Sequence, residues 1–156
     1  MARYAEGTSV AEESSRAEIE RTLRRYGANR VGYQYDDERS AVAFEMCGRR
    51  IRFYMALPSV DDVAHTESGK PRAQAHLSAA LDAERRRRWR CLFLMIKAKL
   101  EAVETGIVTF EDEFLPHTLM PDGRTVAEHV APHVAIAYES GRAPAALLPD
   151  YSRKAL

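Results

Sequence analysis

Residues 31–57 read "VGYQYDDERSAVAFEMCGRRIRFYMAL", and their spacing decides the fold. Val31, Tyr33 and Tyr35 alternate with smaller or polar residues, as do Val42, Phe44 and Met46, and then Ile51, Phe53, Met55 and Leu57. A period of two marks strands with one buried face. "YDDERS" and "CGRR" are short turns, the second built on Gly48. Short turns between alternating runs predict an antiparallel three-stranded meander. Its inner face is large and apolar. Its outer face carries Gln34, Ala41, Ala43, Glu45, Arg50, Arg52 and Tyr54.

Upstream, Ser15 and Glu18 have capping-box spacing, and Ile19, Leu23 and Tyr26 form one stripe. This predicts a helix that stops at Gly27, a residue that tolerates the left-handed cap conformation. Downstream, "PSVDDVAHTESGKP" (58–71) is polar and aperiodic and reads as a mobile loop. A long helix is expected over about 72–104, ending at Gly106, with a break near its arginine run left open. "TFEDEF" predicts a short helix capped by Thr109. Thr125 and Glu128 form a second capping box, which opens a last helix to about Ser140 with a kink at Pro132. Leu147 and Leu148 are expected to dock on the body. The fold class is therefore α+β, with residues 1–13 as an arm, 14–148 as one domain and 149–156 as a tail. At 156 residues a single domain buries a sufficient core without disulfide or metal.

The long helix contains "ERRRRWRCLFLMIKAK" (84–99). Five arginines and a tryptophan fill residues 85–90, and six uncharged residues follow. On a helical wheel Trp89, Leu92, Ile96, Leu100 and Val103 share one arc, the expected core face. Arg86, Arg87, Arg90 and Lys97 fall opposite. Leu94 and Cys91 sit near that basic side. An apolar residue there favours burial between two protein layers or in a homo-oligomer. From Arg85 to Lys99 there are seven bases and no acid, whereas 101–113 holds five acids and no base. Two readings stand. The arginines pair with acids of this or another chain, or they grip phosphate, since a guanidinium fork suits both. "GRRIRFY" adds Arg50, Arg52 and Tyr54 on the outer sheet face, where two cations and an aromatic suit a nucleic-acid backbone and base. The candidate nucleic-acid or phosphate-binding residues are thus Arg50, Arg52, Tyr54, Arg86, Arg87, Arg90 and Lys97.

Other chemistry finds little support. The 23 basic and 23 acidic residues cancel, so no global field draws the chain to nucleic acid or membrane. Cys47 and Cys91 read as reduced, as in the cytoplasm. The N-terminus lacks an apolar signal region, and "CLFLMI" is too short to span a bilayer. His129 and His133 have metal-ligand spacing, but Pro132 lies between them and the H-E-x-x-H order is absent. No nucleophile elbow, Walker loop or dinucleotide fingerprint occurs, so neither cofactor nor catalyst is expected.

The order helix, meander, helix resembles the double-stranded-RNA-binding domain in topology alone; the second helix is too long and lacks the lysine cluster at its start. A wider resemblance is carried by "YAEGTSV" (4–10), "SRAEIERTLRRYGA" (15–28), "GRRIRFYMALP" (48–58), "RRWRCLFLMIKAKLEAVETGIVTFEDEFLPH" (87–117) and "LMPDGRTVAEH" (119–129). These segments resemble a family of small proteins encoded by tailed bacteriophages. The resemblance implies a cytoplasmic protein made early in infection, with no assigned activity. The expectation is a non-enzymatic accessory protein that binds nucleic acid. The alternative is an antagonist of host antiviral defence that binds a host protein or a nucleotide signal.

Overall fold

The computed structural model describes residues 9–142. Helix α1 (Glu12–Arg25) leads into strands β1 (Asn29–Tyr35), β2 (Arg39–Met46) and β3 (Arg49–Ala56). A one-turn helix α2 (Val60–Val63) precedes the long α3 (Gln74–Glu104). Helix α4 (Phe110–Phe114), a 3-10 turn (Leu115–His117) and α5 (Val126–Ser140) complete the described chain. The sheet is an antiparallel meander in the order β1-β2-β3, as the alternation predicts. The fold is α+β: an N-terminal helix, a three-stranded sheet, a long central helix and C-terminal helices.

Register places Val42 opposite Phe53 and Phe44 opposite Ile51, so the large apolar side chains share the inner face. Against them α3 buries Trp89, Leu92, Phe93, Ile96 and Leu100; α1 adds Ile19 and Leu23, and α4 adds Phe110 and Phe114. Phe114 meets Phe44 and Phe53 edge-on, with centroids 6.2 and 6.1 Å away. Each such side chain contributes about 2 kcal/mol of burial, so the inner face holds the fold together. The expected core arc of α3 is therefore right, with Phe93 added and Val103 at its edge. Leu94 packs against the same core. Helix α1 also packs along α3.

Two local features differ from expectation and two refine it. Helix α1 starts one turn early, with Ala11 as its N-cap and no side-chain cap. Ser15 N donates to Ala11 O at 3.1 Å, so Ser15 already lies inside the helix and cannot cap it. Glu12 and Glu13 favour the earlier start, because acids in the first turn complement the helix dipole. Second, the 58–71 loop is organised. A reciprocal Ser59–Asp62 capping box starts α2, and Thr66 N to Lys70 O (2.8 Å) and Arg72 N to Ala64 O (2.7 Å) close the remainder. Third, α3 runs unbroken for 31 residues, about 46 Å at the usual rise. Fourth, Thr118 bridges to Ile51 and Leu119 N donates to Arg50 O at 2.8 Å, so the free edge of β3 is partly covered.

The Thr109 cap, the Thr125–Glu128 capping box and the end of α5 at Ser140 stand as the sequence indicates. Helix α5 continues through Pro132. The expected docking of Leu147 and Leu148 lies outside the described residues, as do the first eight residues of the arm.

Candidate nucleic-acid interface

The arginine run on α3 is largely occupied by acids of its own chain. Glu84 receives Arg87 Nε at 2.7 Å and Nη2 at 2.5 Å, a bidentate fork, and Arg88 Nε at 3.0 Å. The hydrogen bonds from Arg87, then from Arg88, hold its carboxyl below the ordinary range. Arg88 also donates to Ala56 O at the end of β3 (2.8 Å) and to Asp62 in the α2 cap (3.1 Å). One guanidinium thus ties α3 to the sheet and to the loop. Arg90 donates to Glu18 on α1 at 2.9 Å and lies 4.8 Å over the Phe93 ring. Lys99 donates to Glu113 at 2.6 Å. Of the run's expected partners in the acidic segment, that is the contact made; the other acids come from α1, α2 and α3 itself. Arg86 is half-buried and Lys97 exposed, and neither has an ion pair among the described residues.

The outer sheet face is built by register. On β3, Arg50, Arg52 and Tyr54 alternate with the buried Ile51, Phe53 and Met55. They stand opposite Glu45, Ala43 and Ala41 of β2. Arg50 is exposed and its side chain forms no ion pair among the described residues. Arg52 donates to Gly123 O at 2.8 Å and lies 3.5 Å from the Glu128 carboxylate. Its guanidinium carbon is 4.5 Å from the centroid of Tyr54. Arg39 covers the same ring from 4.4 Å. Because Arg39 pairs with Ala56, two residues beyond Tyr54, the ring lies between the two guanidinium groups. Stacking on the ring therefore requires one of them to move.

Arg39 is the residue that the sequence left inside a turn. Asp36 organises that turn: its Oδ1 accepts from Glu38 N (2.9 Å) and Arg39 N (2.7 Å), which holds the carboxyl below its usual range. Extending the strand pairing outward from the hairpin at Gly48 would have found Arg39, since it brings that residue opposite Ala56. Gln34, Tyr35, Asp36, Arg39, Ala41 and Tyr54 line an open groove of about 430 Å³ beside the ring.

The candidate residues thus divide. Arg50, Arg52 and Tyr54 share the outer face, whereas Arg86, Arg87, Arg90 and Lys97 sit on α3, which packs on the inner face. A second cleft of about 260 Å³ lies between the 62–72 loop and α3; there Arg87 is paired with Glu84, and Arg72 donates to Val63 O. His129 Nε2 lies 2.9 Å from Asp122, and His133 is exposed. No cluster of three or more metal-ligating groups occurs among the described residues. Nor is any helix among them long and apolar enough to cross a membrane. No family model, curated protein or solved structure matches the chain.

Proposed function

We propose that this is a non-enzymatic accessory protein that binds nucleic acid on the outer face of its sheet. The observation that carries the reading is the row Arg52–Tyr54–Arg39 with Arg50, which has no ion pair among the described residues, beside it on the outer face of a sheet whose inner face supplies the core. Cations there contact phosphate without sequence preference, and the aromatic supplies a stacking plane. The arginine run serves the fold in this reading, because Arg87, Arg88 and Arg90 already have carboxylate partners. The phage resemblance suits an accessory role in nucleic-acid metabolism.

A titration of nuclease-treated protein into a fluorescently labelled oligonucleotide at two salt concentrations tests the reading. Binding that weakens steeply with salt is expected, because phosphate contacts release counterions. Absence of binding at low salt contradicts it.

One observation favours the second reading, a defence antagonist that grips a host protein. Helix α5 buries Val126 but leaves Val134, Ile136 and Tyr138 at 39%, 59% and 88% exposure. Apolar residues along an uncovered helix suit a protein partner. Such capture would persist without nucleic acid, which separates the two readings.

A further inference from the structure

We infer that Tyr54, Arg39 and Gln34 form a clamp for one unpaired nucleobase of a nucleoside phosphate. The inference deepens the outer-face reading and rests on it for the case in which that nucleotide belongs to a strand.

The two guanidinium groups on Tyr54 are held very differently. Arg52 has a side chain only 15% exposed, anchored on Gly123 O and beside Glu128. Arg39 is 52% exposed, and its ion pair with Asp36 is exposed on both sides. Such a surface pair contributes about 0–1 kcal/mol, so Arg39 leaves the ring at little cost while Arg52 stays. The open groove lies on the Arg39 side, with Ala41 and Tyr54 among its lining residues. A flat heterocycle that enters there takes the place of the Arg39 guanidinium on the ring. Arg39 then closes over the outer face of the base or meets its phosphate, both of which suit a planar cation. The opposite face of Tyr54 remains supported by Arg52, so the ring keeps its orientation with or without ligand.

The groove also fixes which end of the ligand enters. Asp36 stays ionised there, since two backbone N–H groups hold its carboxylate. A phosphate is repelled by that carboxylate, so the base goes in and the phosphate stays outside, toward the solvent-facing arginines. Gln34 stands on the rim, exposed, with no hydrogen bond from its amide to another described residue. A free carboxamide offers both a donor and an acceptor to a base edge. Bases inside a duplex have their faces covered by neighbours and cannot enter, so the ligand is a single strand or a free nucleotide.

The experiment compares a labelled 12-nucleotide single strand, the corresponding duplex and labelled adenosine monophosphate, with wild type, Tyr54→Phe, Tyr54→Ala and Arg39→Ala. Circular dichroism verifies that each variant folds. The clamp predicts that the single strand binds more tightly than the duplex. It also predicts that Tyr54→Ala weakens binding about 5–150-fold, the range for loss of one base–aromatic stack, and that Tyr54→Phe binds like wild type. Tyr54-dependent binding of the mononucleotide but of neither oligonucleotide supports the clamp with a free nucleotide as its ligand, and overturns the strand reading. Equal binding of single strand and duplex, unchanged in Tyr54→Ala, overturns the clamp and leaves the outer-face reading standing. Failure of all three probes to bind overturns both.

Discussion

Arg90 on α3 and Glu18 on α1 meet at 2.9 Å across 72 residues of sequence, and the Arg90 guanidinium also covers Phe93. Both side chains are about one-quarter to one-third exposed, so solvent screens the pair only in part. The contact locks the N-terminal helix to the central one where Ile19 and Trp89 enter the core. Arg90→Ala should lower stability by about 1–2 kcal/mol, combining a partly screened ion pair and a cation–π contact. Urea denaturation measures it. The charge exchange Glu18→Arg with Arg90→Glu should recover part of the loss, whereas a contact without energetic weight would leave both variants like wild type.

The Glu84 node makes a pH prediction. Its carboxyl titrates below the ordinary 4.5 in the folded chain, chiefly because Arg87 donates to it. A depressed acid contributes stability that is present above its unfolded value and is lost as pH falls through the folded one. Glu84→Gln should therefore be less stable than wild type near pH 7, and the difference should shrink below about pH 4.5. Melting temperatures at a series of pH values test it. A difference that stays constant down to the most acid pH would mean that the carboxylate charge does not matter.

His117 acts in a separate window. Burial, with Lys99 nearby, pushes its imidazole below 6.5, while Glu113 opposes the shift. Its ring lies 4.1 Å from that of Phe53. The unfolded chain takes up this proton first, so stability declines as pH falls below 6.5 toward the folded value. His117→Gln should flatten the stability curve just below pH 6.5 and leave the carboxylate transition at lower pH in place.

The β2–β3 hairpin turns on Cys47 and Gly48, with φ of 50° and 71°. Both central residues of a two-residue type I′ loop need positive φ, and asparagine suits the first position better than cysteine. Cys47→Asn should stabilise by a few tenths to about 1 kcal/mol. Gly48→Ala should cost about 1 kcal/mol, because a Cβ is strained in the left-handed region even though open space surrounds it. Opposite signs in thermal denaturation would place the hairpin in another turn geometry.

The sheet was legible because its inner residues alternate without a fault from Val42 to Met55, and each turn carries its own chemistry. Helix ends were legible wherever a side chain caps them, as at Thr109 and Thr125. At Ala11 the cap has no side-chain signal, and the serine that mimicked one is buried. The α2 capping box was readable as Ser59 and Asp62, but four residues of helix give no period to detect. The outer face could be drawn from alternation alone. The fate of its arginines could not, because Gly123 lies 71 residues from Arg52 in sequence and Asp36 was hidden in a turn. For the same reason the sequence leaves two readings of the arginine run, acid pairing and phosphate contact: Glu18 and Asp62 lie 72 and 26 residues from their partners.

The division between the outer sheet face and the arginine helix is tested most directly by charge reversal at two cations that lack ion pairs among the described residues, Arg50 on the sheet and Lys97 on α3. Affinity for a single-stranded oligonucleotide is measured against salt for each variant. Arg50→Glu should weaken binding and make the slope of log K against log salt shallower by at least about 0.7, the value for one lost single-strand phosphate contact. Lys97→Glu should leave both nearly unchanged. Weakening by Lys97→Glu with no effect of Arg50→Glu would move the interface to the helix and contradict the account.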